Sequence, residues 1–349
     1  MSRIFNAQKL ADDLKVPVAQ LVAVMNAFTP GNPSGLNGAM GFTVDIFEQL
    51  QARTRDVLLP EIKWTETLGQ GLDTSINPGA KLTSYRVRDR RGKGAFRAAI
   101  GKDIPTVGVT MNKVVIPMEA AAVSSSIDLE DIRSVSFGFE GMNLITEHGA
   151  VMREASERMI EETFFFGFPE LDFAGYIDYS LVPATTAGTK AGGGTTWAVA
   201  TGDEIVKDVF TAIGLIYANS KGVFLPGRVE IPLAQLVQIS SQRMGGASGP
   251  AGENITVLEY IKRNSLYTAM TGQELDVRGL SYLDGAGAGV TDRMIVSQAD
   301  ADTNYMPMSQ AFEMLAPQDR QFATDLFAHW KFGSYHKPYP TSAQFIDGI

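Results

Sequence analysis

The residues that could do chemistry are few, and their spacing keeps them apart. The histidines are His148, His329 and His336. His148 falls on one face of an expected helix, where a packed or partly exposed imidazole is the ordinary outcome. His329 and His336 lie an odd number of positions apart in a strand-rich stretch. Alternation sends them to opposite faces, so they make a poor metal pair. The chain has no cysteine, which removes disulfides, thiolate nucleophiles and cysteine-ligated metals together. Glu161 and Glu162 are adjacent, hence about 100° apart on a helix, and do not converge as an acid/base pair. Gly192-Gly193-Gly194-Thr195-Thr196 lacks the Gly-Lys-Ser/Thr ending of a phosphate loop. The stretch Gly285-Ala286-Gly287-Ala288-Gly289 lacks the third glycine at the offset a dinucleotide loop requires and opens no helix, so both runs read as linkers. With no Gly-x-Ser-x-Gly elbow and no His-Glu-x-x-His, no catalytic, cofactor-binding or metal-ligating residue is expected, and no cofactor.

One charged feature rises above this background. Tyr85-Arg86-Val87-Arg88-Asp89-Arg90-Arg91-Gly92-Lys93-Gly94-Ala95-Phe96-Arg97 is strongly basic in a chain whose net charge is −9. The alternation of Tyr85 and Val87 with Arg86 and Arg88 fits a strand with one solvated face, and Gly92 and Gly94 supply a turn. A protruding two-stranded hairpin is expected within residues 76–103. It is marginal in water unless it lies on another surface. The basic run could contact nucleic acid, an acidic patch on a neighbouring copy, or solvent. The second reading is favoured, because the rest of the chain is acidic and can supply the partner surface. An overall acidic chain also limits adhesion to phosphates.

The elements that must carry this hairpin follow from periodicity. Residues 1–60 read as an arm: a helix over 10–28, a breaker-rich loop at Thr29-Pro30-Gly31-Asn32-Pro33, and a short helix over 43–57. Residues 105–126, rich in Val, Ile and Thr, read as a long strand, with a helix start at Ser126-Ile127-Asp128. The longest helix is expected over 142–166, with Leu144, His148, Met152, Ala155 and Met159 on one face. Arg153–Glu157 and Glu154–Arg158 are its i,i+4 pairs, and Gly167 and Pro169 stop it. Residues 183–200 read as loop. Thr201-Gly202-Asp203-Glu204 is a capping box opening a helix through Ser220. Val223-Phe224-Leu225-Pro226 reads as a short buried strand, and Pro232 opens a helix through Ile239. A helix begins near Tyr260 after Thr256-Val257-Leu258-Glu259. Strands are expected over 275–283, 294–297, 305–315 and 322–335. With 349 residues, 44% hydrophobic and 20% charged, the chain has ordinary globular composition and length for about two domains. No apolar run approaches the ~20 residues that span a bilayer, so no membrane partner is expected. Met1-Ser2-Arg3-Ile4-Phe5-Asn6 does not open like a signal peptide.

The order of these parts resembles the tailed-bacteriophage major capsid proteins of the Hong Kong 97-type fold. An arm is followed by a basic hairpin, a long strand, a long helix with an aromatic-Gly exit and an α/β insert. Strands at the C-terminal end then return to the core. Glu161-Glu162-Thr163-Phe164-Phe165-Phe166-Gly167-Phe168-Pro169 resembles that family's exit from the long helix, though Tyr176 stands where the family has Leu. The stretches from Thr196-Trp197 to Phe224-Leu225-Pro226, Thr256-Val257-Leu258-Glu259-Tyr260-Ile261, and Pro338-Tyr339-Pro340-Thr341-Ser342 also resemble it. The likeness covers about residues 60–349.

The resemblance implies an α+β fold with an N-terminal arm (1–60) and a peripheral (P) domain (61–75, 104–200 and 298–349). The P domain would hold a spine helix over about 142–166. An E-loop (76–103) and an axial (A) domain (201–297) complete the set. It implies a structural subunit and no enzyme, self-assembling into hexamers and pentamers of an icosahedral head around double-stranded DNA bound without sequence specificity. Inter-subunit contact would fall on Arg86, Arg88, Arg90, Arg91, Lys93 and Arg97. Scaffold, portal and decoration proteins are the expected partners, and the virion, assembled in the host cytoplasm, is the expected location. Some members of that family weld subunits through a Lys–Asn bond promoted by a Glu. Lys93 lies in the hairpin, but no matching Asn and Glu are found, so that weld is not carried over. An encapsulin compartment of the same fold and a soluble α/β enzyme are the alternative readings.

Overall fold

The computed structural model describes residues 59–92, 107–138, 143–244 and 255–349. Apart from its last two residues, the arm expected over 1–60 lies outside them, as does the hairpin tip with Lys93 and Arg97. Helices and two sheets mix along the chain, as expected for an α+β protein.

The first sheet contains β1 (Leu72–Asp73), β2 (Leu82–Arg91), β3 (Gly108–Asp128), β8 (Met306–Met314), β9 (Gln318–Arg320) and β10 (Ala323–Gly333). Its order is β1-β8-β10-β3-β2, with β9 on β10. The second is β4 (Ala184–Thr186), β11 (Ala343–Asp347), β7 (Arg293–Ser297), β5 (Arg228–Ile231) and β6 (Asp276–Gly279), in that order. The segment from residue 298 onward therefore divides: β8 to β10 enter the first sheet and β11 the second.

β3 takes two partners in succession. Its first half pairs with β2, from Gly108 opposite Arg91 to Pro117 opposite Leu82, and its second half pairs with β10, from Met118 to Asp128. The expected hairpin is thus larger than residues 76–103. Its returning arm is the start of the long strand, because Val, Met and Ile from 107 onward supply the ladder, while the Gly92–Gly94 turn expected to close it lies at or beyond the edge of the described residues.

After the short α1 (Trp64–Leu68) and α2 (Leu129–Gly138), the long helix is α3 (Leu144–Phe166). Asn143 caps it, accepting from the Ile145 N–H at 3.1 Å, which satisfies one of the amides a helix start leaves open. It ends at Gly167, whose φ of 74° and N–H bond to Thr163 O terminate the spiral. A side chain is also excluded there by close approach, since a Cβ on Gly167 would meet Phe173 O at 2.4 Å. The helix buries Met152, Ser156, Ile160, Phe164 and Phe165. Phe164 stacks on Tyr176 and meets Tyr335 edge-on at 5.3 Å, and these join Trp330, Phe332 and Phe345 in one core. Burying each Phe contributes roughly 1.5–3 kcal/mol. Of the two expected i,i+4 pairs, Glu154–Arg158 forms at 2.9 Å, whereas Glu157 instead accepts from Trp64 Nε1 at 3.2 Å.

A second core lies between the second sheet and α4 (Gly202–Asn219), α5 (Leu233–Ser241) and α6 (Val257–Asn264). Here Ile205, Val209, Ile213 and Ile216 of α4 meet Val229, Ile231, Met294 and Ile346. The expected capping box at Thr201 and Glu204 is present. The strand expected at Val223–Pro226 is not formed, and the ladder begins at Arg228 instead. The Phe224 N–H is taken by the Ser220 hydroxyl at 3.0 Å and the Leu225 N–H by Gln298 at 3.2 Å, and Pro226 has no N–H to give. The strand expected over 275–283 is cut to β6 by a short 3-10 turn at Ser281–Leu283. A short parallel strand, β4, forms within the expected loop 183–200. No helix among the described residues is long and apolar enough to cross a membrane.

Candidate assembly surface

The hairpin's two faces follow from its register. Arg86 pairs with Lys113, Arg88 with Met111 and Arg90 with Val109. Cross-strand partners share a face, so three arginines and Lys113 form one basic stripe, and Val115 and Leu82 continue that face toward the root. Val109, Met111 and Val115 are 59%, 58% and 48% exposed, so the face is both charged and apolar. Arg86, Arg88 and Arg90 are exposed, and none has a carboxylate partner among the described residues. Arg91 pairs with Gly108, one step out of this alternation. The sequence singled out the arginines but missed Val109, Met111 and Val115. The signal was there in their spacing around Lys113, legible only once the strands are in register.

Aromatic packing fixes the root of the hairpin. Tyr85 meets His336 at 5.4 Å and Tyr305 at 6.3 Å, and burial pushes its hydroxyl pKa up to about 12. Tyr305 in turn donates to Asp73 Oδ2 at 2.9 Å. Beyond this root, residues 86–90 are exposed on both faces. A two-stranded ribbon with large exposed apolar side chains and unpaired cations is suited to being covered by another protein surface.

A surface of mixed charge and apolar character runs along α3. Glu147, the ion-paired Glu154 and Arg158, and Glu162 lie along its outer side with Val151, Met159 and Phe166, the last three 64%, 43% and 54% exposed. Charge alternation of this kind is ordinary on a solvated helix, and the exposed Val151, Met159 and Phe166 add apolar area to it.

The other residues singled out by sequence are not brought together. His148 Nδ1 bonds the Ser125 hydroxyl at 2.7 Å and holds α3 to β3. His329 Nε2 bonds Gln310 at 2.8 Å, and His336 Nδ1 bonds the Tyr179 hydroxyl at 2.9 Å. Glu161 is buried and accepts the Lys63 N–H at 2.8 Å, while Glu162 faces out. Gly193 and Gly194 belong to a turn closed by Lys190 N–H to Gly194 O at 2.8 Å. No group of three or more possible metal ligands occurs among the described residues.

Comparison with known proteins places this geometry. The family model described as "Major capsid protein" matches residues 92–349. The capsid protein of Myoviridae phage XM1 superposes with a TM-score of 0.71 at 14% identity, covering 87% of this chain and 97% of that one. The capsid of an empty GTA particle gives a TM-score of 0.57 at 12% identity, over 88% of this chain and 96% of that chain. A protein of Mycobacterium phage Adephagia gives 0.54 at 12%, again over 88% and 96%. No curated protein matches the sequence.

Proposed function

We infer, from the premise that this chain belongs to the major capsid protein family, that it builds a phage head by joining hexamers and pentamers into an icosahedral shell around double-stranded DNA. Its fold is of the Hong Kong 97 type, and its role is that of a structural capsid subunit. The observation that carries the assembly reading is the basic and apolar face formed by Arg86, Arg88, Arg90, Val109, Met111 and Lys113. This face lies across a neighbouring copy as the E-loop, and Arg91, Lys93 and Arg97 are proposed to join the same inter-subunit contact. The apolar-studded outer side of α3, where Glu147 and Glu162 are exposed, is a fitting receiver. An exposed ion pair contributes only about 0.2–1 kcal/mol, so the contact relies on apolar area for strength and on charge for register. Closed symmetry repeats each contact around the ring, which lets individually weak contacts hold a shell.

The first sheet with α3 makes the peripheral domain. The axial domain comprises α4 to α6 with β5, β6 and β7, and takes β11 and β4 as the far edge of its sheet. Residues 1–60 reach a further copy. Scaffold, portal and decoration proteins are the partners this role calls for, and assembly takes place in the host cytoplasm. The packaged DNA is held without sequence recognition, as suits an acidic container.

The test is electron microscopy and size-exclusion chromatography of the chain expressed with and without its Arg86→Glu/Arg88→Glu/Arg90→Glu variant. The unmodified chain should give shells, tubes or capsomer rings. The variant should stay unassembled with an unchanged circular dichroism spectrum. Normal particles from the variant would remove the hairpin from the interface. A cargo compartment shares this fold, and particles containing protein cargo instead of nucleic acid would favour it.

A further inference from the structure

Val290 stands at the tip of the loop between β6 and β7, in a conformation that suits it badly. Its φ is 62°, in the left-handed region, where Cβ crowds the backbone and a β-branched residue fits worst. Gly285 and Gly289 take two other left-handed positions of the same loop, with φ of 66° and 74°. A glycine or asparagine would suit the third equally well. Burial does not account for the valine, because its side chain is 84% exposed. The loop is nonetheless held firmly. The Gly287 N–H donates to Thr291 O at 2.6 Å and the Val290 N–H to Gly287 O at 3.1 Å. The Gly285 N–H donates to Asp292 Oδ1 at 2.9 Å, and the Ala288 N–H to Asp347 Oδ2 at 3.2 Å. The free subunit thus carries the strain with almost no apolar burial to offset it.

The loop continues the outer side of α3. Tyr282, which leads into it, stacks on Phe165 at 4.3 Å and meets the exposed Phe166 edge-on at 5.8 Å. Asp284 and Gly285 follow, and Val290 Cγ1 lies 3.4 Å from where a Cβ on Gly285 would stand. Phe166, Asp284 and Val290 therefore succeed one another along the surface. Asp284 is exposed, and partial burial together with the charge of Asp292 pushes its carboxyl pKa up. An incoming cation would relieve these two like charges. The hairpin of another copy offers cations and apolar side chains together, with Arg86, Arg88 and Arg90 on the same face as Val109 and Met111.

We propose that Val290 and Asp284 form the far end of the surface that receives the hairpin of a second copy of this chain. The valine seats among the hairpin's apolar side chains, and the aspartate lies beside its arginines. This rests on the assembly reading and deepens it, adding a loop of the second sheet to the receiving side of α3. An apolar anchor ringed by polar groups is the arrangement in which a single side chain contributes most to a protein contact. The strain belongs to that contact. It aims Val290 outward before docking, and a loop already held by its own hydrogen bonds loses little freedom when it is covered.

Variants of the full-length chain test this, because stability and assembly should move in opposite directions. Val290→Asn should raise the melting temperature of the unassembled chain by about 2–3 °C, since asparagine tolerates the left-handed region. The same variant should need about tenfold more protein to form particles, the equivalent of one valine left unburied. Val290→Ile keeps both the strain and the apolar contact, and should melt and assemble as the unmodified chain does. The chain has no cysteine, so the partner can be trapped directly. Val290→Cys combined with Val109→Cys or with Met111→Cys should give disulfide-linked multimers from oxidised particles, and Val290→Cys alone should not. A Val290→Asn chain that assembles at the unmodified concentration overturns the proposal, and so does one that melts lower. Poor assembly of Val290→Asn with no cross-link in either pair would give the loop a different occupant and overturn the hairpin's part. An unmodified chain that forms no particle overturns the assembly reading itself, so the two failures are told apart.

Discussion

Arg293 and Asp347 show how little of the interior can be read from single residues. They are 54 positions apart, yet Arg293 Nε and Nη2 bond the two Asp347 oxygens at 2.6 and 3.0 Å, with Nη1 on Ile177 O at 2.6 Å. Both are nearly fully buried, and the guanidinium carbon stands 4.8 Å from the Phe345 ring centre. Removing one partner strands a buried charge, so Arg293→Met should cost about 3–5 kcal/mol, read as a lower urea midpoint. His336 makes a second residue-scale prediction. Burial against Tyr179, Tyr85 and Tyr305 lowers its pKa. The unfolded chain then takes up this proton at higher pH than the folded chain does. Its contribution is intact above the ordinary histidine range and is lost as pH falls through that range toward the folded value. His336→Gln should flatten the stability profile between about pH 5 and pH 7, followed by denaturation at each pH. Neither partnership left a mark in the sequence, because long-range pairing has no local period.

Elements were far more legible. The helix α3, the cap at Thr201, the strand β7 and the long strand β3 all announced themselves through period and punctuation. What failed was the fate of backbone donors. Val223-Phe224-Leu225-Pro226 has strand composition, but side chains of Ser220 and Gln298 capture its amides. The hairpin was found with its second arm misplaced, since composition marks strands and says nothing of which residue stands opposite which. The turn after α3 was recognised from Gly167 and Pro169, yet Gly175 matters as much. A Cβ there would lie 2.5 Å from Phe165 O and 2.6 Å from Phe166 C, both backbone atoms. Gly175→Ala should destabilise by about 1–3 kcal/mol, the usual range for overpacking. A matching drop in melting temperature, with helix content unchanged, would support this close approach as the reason for the glycine.

At the scale of the whole molecule, the described residues form two sheets, and chain order does not draw the line between them. β11 closes the second sheet after β8 to β10 have served the first. Its Phe345 reaches one core and its Ile346 the other. Deleting residues 343–349 removes Phe345, Ile346 and Ile349 from burial at roughly 1.5–3 kcal/mol each, a large part of a typical total of about 5–15 kcal/mol. It also bares the edge of β7. The truncated chain should lose its cooperative unfolding transition, and a truncation that still melts sharply would show the second sheet to be self-sufficient.

The 21 residues of β3 run unbroken for about 70 Å from the exposed ribbon into the first sheet. A tug on the ribbon therefore meets no hinge on that side. It travels along a single covalent line into the ladder with β10, which pairs antiparallel to it over eleven consecutive positions, from Met118 to Asp128. Force applied along a strand loads such rungs together in shear, whereas force applied across it would open them one at a time. Pulled along its length, this strand therefore yields least.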